Sequence, residues 1–146
     1  MSKSLFTIGY ETTGQAELIA ALQAAGVALV LDVRELPNSR RAGFSKRTLE
    51  AGLLEAGIGY RHFKALGTVK AGREANRAGR MDEFWSIVTA GLERPQAQLA
   101  LLEAMELARE HTCCLLCLEE DPERCHRSAV AARMPGFNVR HLRLHP

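Results

Sequence analysis

The chain is 146 residues long, 47% hydrophobic and 25% charged, close to an average globular domain, with enough chain for one core rather than two. Nineteen basic and seventeen acidic residues leave a formal charge of +2, so the total announces neither a polyanionic partner nor a membrane surface. No run of about 18 apolar residues exists to cross a membrane, and the segment from Met1 to Phe6 enters a strand-like run with no secretory apolar region. These features predict a cytoplasmic protein without a membrane partner.

Leu5 to Ile8 reads as a short buried strand ending at Gly9-Tyr10, and Leu18, Ile19 and Leu22 then recur at helical spacing up to Gly26. Val27 to Leu31 is apolar on both faces and too short for a helix, as in the centre of a parallel sheet. A polar loop through Pro37, Asn38, Ser39 and Gly43 leads to a helix over Thr48 to Ala56 and a strand over Ile58 to His62. Lys64 to Arg80 is rich in bases and glycine but poor in apolar periodicity, which predicts a long, mobile basic loop. Helices follow over Met81 to Leu92 and over Pro95 to Glu110, the second with proline in its first turn. Cys113 to Leu118 is a further apolar strand, Cys125 to Met134 a helix, and Val139 to Leu142 a last strand. The alternation predicts a single Rossmann-like α/β domain over residues 1–146, with a mostly parallel sheet of about five strands and helices on both faces. In such sheets ligands bind beyond the carboxyl ends of the strands.

The charge is unevenly spread. Residues 1–33 carry net −2, residues 34–80 net +7 and residues 81–146 net −3. A basic middle is either a solvated surface or a seat for an anion.

The strongest local signal runs from Cys117 through Glu119 to Cys125-His126-Arg127, from a buried strand into a helix start. Unpaired N–H groups and the partial positive charge there favour a thiolate, making Cys125 a candidate nucleophile. His126 suits proton transfer near neutral pH, and Arg127 suits two parallel hydrogen bonds to a carboxylate or phosphate. The competing reading is packing for Cys125 and pairing with Glu119 to Glu123 for Arg127. Cys113 and Cys114 read as core residues. The four cysteines, confined to 113–125, read as thiols and not as a secreted disulfide framework. Cys117, Glu119, Cys125 and His126 also form a mixed set that zinc accepts, although Cys117 and Cys125 are not spaced as a C-x-x-C pair.

A second cluster follows Asp32 and Arg34, which share a face at a strand end. Ser39, Arg40, Ser45 and Lys46 offer hydroxyls and cations to anionic oxygens, and Phe44 offers a stacking surface. Gly9 permits close backbone approach, and Tyr10 beside it is placed to cap a pocket. No G-x-G-x-x-G, Walker lysine, G-x-S-x-G or H-E-x-x-H motif is present, so no motif names a cofactor.

Together, Thr7-Ile8-Gly9-Tyr10, Asp32-Val33-Arg34 with Pro37, Ser39, Arg40 and Phe44-Ser45-Lys46, and Cys117-x-Glu119 leading to Cys125-His126-Arg127, resemble the bacterial and archaeal family catalogued as domain of unknown function 488. The resemblance runs from Ile8 to about Ala132. It implies a Rossmann-like α/β domain with its polar motifs at one end of the sheet, and it implies no settled activity. Where members often show Leu-Gly-Gly, this chain has Leu66-Gly67-Thr68, which argues against a phosphate-cradling turn there.

The residues thus point to a protein that binds a phosphate-bearing small molecule, a nucleotide or a nucleic acid, and to an enzyme reading of it. In that reading Asp32, Glu119 and His126 move protons and Cys125 attacks. Gly9, Tyr10, Arg34, Ser39, Arg40, Phe44, Ser45, Lys46 and Arg127 would hold the ligand. The alternatives are a non-catalytic nucleic-acid-binding domain and a metal-binding protein using Cys117, Glu119, Cys125 and His126.

Overall fold

A computed structural model describes residues 3–144. The first half of the chain forms β1 (Lys3–Gly9), α1 (Gln15–Ala24), β2 (Leu29–Asp32), α2 (Lys46–Glu55) and β3 (Gly59–His62). A 3-10 turn at Lys64–Leu66 precedes α3 (Lys70–Arg77), α4 (Met81–Leu92) and α5 (Pro95–Glu110). The chain then returns through β4 (Cys113–Cys117), a 3-10 turn at Pro122–Arg124, α6 (His126–Ala132) and β5 (Phe137–His141).

The five strands form one all-parallel sheet in the order β3-β2-β4-β1-β5. β4 lies in the middle and every residue of it is buried. Its side chains alternate between two cores, as a strand period of two requires. Cys113, Leu115 and Cys117 pack with α4, α5 and α6, whereas Cys114 and Leu116 pack with Leu18 and Leu22 of α1 and Leu49 and Leu53 of α2. Helices therefore cover both faces. No helix among the described residues is long and apolar enough to cross a membrane.

This topology locates a crevice. β1 and β2 both send the chain to the α1 and α2 face, while β4 between them sends it to α6 on the opposite face. The loops part at the carboxyl end of β4, which is the switch point where open α/β sheets bind ligands.

The segment from Lys64 to Arg80, expected as a loop, instead holds the 3-10 turn and the eight residues of α3. α3 buries only Gly72, Ala75 and Asn76, so it has no large apolar side chain to show a helical period. Its small side chains let it lie close to α4, since a Cβ on Gly72 would press on Ile87 and Thr68. β2 begins at Leu29 and not at Val27, because Val27 closes the turn after α1 by donating its N–H to the Leu22 carbonyl at 3.0 Å. β5 starts two residues before the expected Val139, because its extent follows the ladder with β1, where Phe137 pairs with Lys3.

Gly9 ends β1 directly beneath the loop that leaves β4. The Tyr10 and Glu11 N–H groups donate to the Cys117 and Leu118 carbonyls at 3.2 and 2.8 Å, and a Cβ on Gly9 would collide with the Glu119 carbonyl. The close approach inferred for Gly9 is made by the chain itself. Gly9→Ala should lower stability by about 3 kcal/mol, the upper end for overpacking, seen as a lower urea midpoint with unchanged slope.

Candidate active site

The loop from β4 to α6 is held by a buried cation. Arg127 has 0% exposure, and its guanidinium donates to Thr7 Oγ1 at 3.0 Å, to the Glu119 carbonyl, and to the Glu120 carbonyl at 3.1 Å. A Pro122–Arg124 turn capped by Asp121, which accepts from the Glu123 N–H at 2.9 Å, then delivers Cys125 as the residue that starts α6. Asn76 on α3 clasps the same turn by donating to the Arg124 carbonyl at 2.7 Å.

Cys117, Cys125 and His126 meet under this loop, their donor atoms all within 4.8 Å of one another and all three side chains buried. His126 Nε2 donates to the Val33 carbonyl at 2.6 Å, and Nδ1 lies 3.6 Å from Cys117 Sγ. Glu119 joins with Oε2 at 3.8 Å from the same sulfur.

The four groups share charge unequally. Burial opposes a Cys125 thiolate, but hydrogen bonds from Cys117 and His126, with the His126 and Arg127 charges, outweigh it and hold this thiol well below its ordinary value. Burial and the neighbouring Cys125 push the Cys117 thiol well up. Burial also works against charge on His126, yet Cys125 beside it raises the imidazole. Glu119, desolvated and close to Cys125, is pushed up to about 7, where a carboxyl group takes up and releases protons near neutral pH.

A second buried cluster stands across the crevice. Asp32 accepts from Arg34 Nε at 2.9 Å and from Nη2 at 2.7 Å, a forked pair with 0% and 6% exposure. Arg34 Nη1 donates to the Tyr10 hydroxyl at 3.2 Å and the Phe44 carbonyl at 2.6 Å, and the Tyr60 hydroxyl donates to Asp32. Burial works against the Arg34 charge, but Asp32 overcomes it and holds the guanidinium above its ordinary value. Phe44 has 0% exposure and stacks on Tyr10 with centroids 4.4 Å apart.

Between the two clusters lies a cavity of about 250 Å³. Cys117, Glu119 and His126 line its buried side, Tyr10 and Arg34 one wall, and Thr68, Arg73 and Arg77 the α3 wall. Leu36, Leu118 and Phe84 add apolar surface. Arg73 spends Nη1 on the Glu35 carboxylate and the Thr68 carbonyl, each at 2.7 Å, while Arg77 is exposed with no ion-pair partner among the described residues. The Thr68 hydroxyl is buried in this wall without a hydrogen-bond partner among the described residues.

The residues singled out in sequence are therefore distributed unevenly. Tyr10, Arg34, Glu119 and His126 reach the cavity; Asp32, Cys125 and Arg127 are fully buried beside or behind it and do not line it. Ser39 and Ser45 bond to each other's loop, with the Ser39 N–H donating to Ser45 Oγ at 3.1 Å, and Arg40 and Lys46 are exposed away from the cavity. Phe44 is fully buried and stacks on Tyr10, and its ring does not line this cavity. Thr68, Arg73 and Arg77 were not singled out as site residues. The signal was the spacing of four between Arg73 and Arg77, which places both on one face of a helix, but it is legible only once 70–77 is a helix.

The family model for "domain of unknown function DUF488" matches residues 15–134. The chain belongs to this family. The matched span holds both polar clusters of the DUF488 domain except the Thr7 to Tyr10 strand end, which precedes it. Comparison with curated proteins and with solved structures gives no match.

Within this DUF488 domain, Asp32→Asn should leave the Arg34 charge buried without its counter-ion. The expected cost is about 3–5 kcal/mol, measured by chemical denaturation, with Tyr60→Phe costing about 1 kcal/mol, one ordinary hydrogen bond.

Proposed function

We propose that this protein is an enzyme acting on a small anionic molecule, a phosphate- or carboxylate-bearing compound, bound in the cavity at the carboxyl end of β4. The observation that carries the reading is that proton-transfer groups and cations share one cavity: Cys117, Glu119 and His126 on its buried side, Arg73 and Arg77 on its α3 wall. Arg77, without an acidic partner among the described residues, and the free edge of Arg73 would hold the charged group. Glu119 would exchange protons with it, and Leu36, Leu118 and Phe84 would take an apolar portion.

The size of the cavity, just below the range of about 300–1,000 Å³ for drug-sized ligands, favours a small molecule over a nucleic acid. Of the eleven bases in the basic middle, five are engaged with acids: Arg34 with Asp32, Arg61 with Glu103, Lys70 with Glu74, Arg73 with Glu35 and Arg80 with Glu83.

Calorimetric titration with inorganic phosphate, simple carboxylates and nucleoside monophosphates tests the reading. Arg77→Ala should weaken binding of the anion that the native protein takes by about 10-fold, or 1.4 kcal/mol, and raised salt should weaken it further. Glu119→Gln should keep that binding and lose turnover. Equal binding by native protein and an Arg73→Ala, Arg77→Ala double variant would overturn the proposal.

A further inference from the structure

Cys117, Cys125 and His126 come from the end of β4 and the start of α6, and their three donor atoms lie within 4.8 Å of one another with all three side chains buried. One spacing in the cluster is that of a metal centre. A tetrahedral zinc ion with ordinary zinc–sulfur and zinc–nitrogen lengths sets neighbouring sulfur and nitrogen ligands roughly 3.6 Å apart, and Cys117 Sγ and His126 Nδ1 stand 3.6 Å apart. Nε2 donates to the Val33 carbonyl at 2.6 Å and so carries the ring proton, which leaves Nδ1 as the acceptor nitrogen; Cys117 Sγ, 3.6 Å from Nδ1 and 3.9 Å from Nε2, stands beside the ring, so binding an ion requires the imidazole to turn toward it. A backbone carbonyl on the far nitrogen is the usual outer partner of a metal-bound histidine. Cys113 and Cys114, equally buried in the same strand, have no histidine or carboxylate beside their sulfurs among the described contacts.

We infer that Cys117, Cys125 and His126 bind a thiophilic divalent cation, zinc above all, as a three-ligand centre whose fourth position opens toward Glu119 and the cavity. Two thiolates and one imidazole with an open fourth position make a catalytic kind of zinc site, since closed four-ligand sites are structural. Glu119 Oε2, 3.8 Å from Cys117 Sγ, lines the same cavity, and it either completes the shell or yields to a ligand atom. Binding displaces the protons held by the donor groups, so uptake releases protons to the buffer. Cys125, which no cavity wall exposes, gains in this arrangement a role that direct attack on a ligand does not give it.

The test uses the full chain, reduced, stripped with a chelator and titrated with cobalt(II) or zinc(II) alone. One ion per chain should bind, with a sulfur-to-cobalt charge-transfer band in the near ultraviolet and intense visible bands of a four-coordinate ion. Cys117→Ser, Cys125→Ser and His126→Gln should each weaken uptake by at least about 100-fold, beyond what loss of an outer-shell partner costs. Cys114→Ala, in the same strand but facing the other core, should bind as the native protein does. Native protein that takes up no stoichiometric ion, a charge-transfer band that survives in the Cys117→Ser, Cys125→Ser double variant, or a count of two free thiols that marks Cys117 and Cys125 as a disulfide would each overturn the inference. The native-protein titration needs no variant to fold. It is also separate from the anion test, which reads Arg73 and Arg77, so either proposal fails without the other.

Discussion

The buried guanidinium of Arg127 is the constraint on which the site end of this domain depends. A fully enclosed cation needs its donors satisfied, because an unpaired charge or donor in a low-dielectric interior is costly. Here the partners are not acids. They are the Thr7 hydroxyl on β1 and the carbonyls of Glu119 and Glu120, whose side chains face elsewhere. Each hydrogen bond ties α6 to a different part of the crevice, and the loop after β4 is pulled down over Gly9, where only a residue without a Cβ leaves space. That single clasp sets the distance between the end of β4 and the start of α6, and so brings Cys117 to Cys125 and His126.

Asp32 and Arg34 do the equivalent work across the crevice. Their forked pair takes the end of β2, and the remaining donors of Arg34 reach Tyr10 after β1 and Phe44 before α2. Three segments are joined through one side chain, and the Tyr10 ring is fixed from one side by Phe44. A buried ion pair of this kind repays its desolvation only with good geometry and further hydrogen bonds, and both are present. Its consequence for function is indirect. Tyr10 and Arg34 form one wall of the cavity, and the other cations of its lining stand on α3, where Arg73 pairs with Glu35 and Arg77 is exposed.

The strand-helix order, the parallel sheet and the buried central run at Cys113 to Cys117 were legible because large apolar residues repeat with the strand or helix period there. The stretch from Lys64 to Arg80 was not. α3 buries glycine, alanine and asparagine, so the pattern that identifies a helix is missing, and with it went the pair Arg73 and Arg77 that the helix sets on one face. The two polar motifs were legible as motifs, since buried strands rarely end in runs of charged residues and cysteine without a reason. Their division of labour was not, because the types Asp, Arg, Ser and Phe look alike whether they face a ligand or one another.

What the amino-acid sequence by itself determined is the class of the domain and its membership of the DUF488 family, and it singled out the residues around the candidate site: periodicity, family motifs and strand ends are local properties of the chain. Only the tertiary structure decided which of those residues meet. Arg127, Asp32 and Phe44 spend their bonding capacity inside the protein, Cys117 and Glu119 turn toward a cavity, and Arg73 and Arg77 complete its wall from a distant helix. Side chains of one type diverge in this way because hydrogen-bond partners and burial are set by which segments pack together, a long-range property that no local pattern encodes.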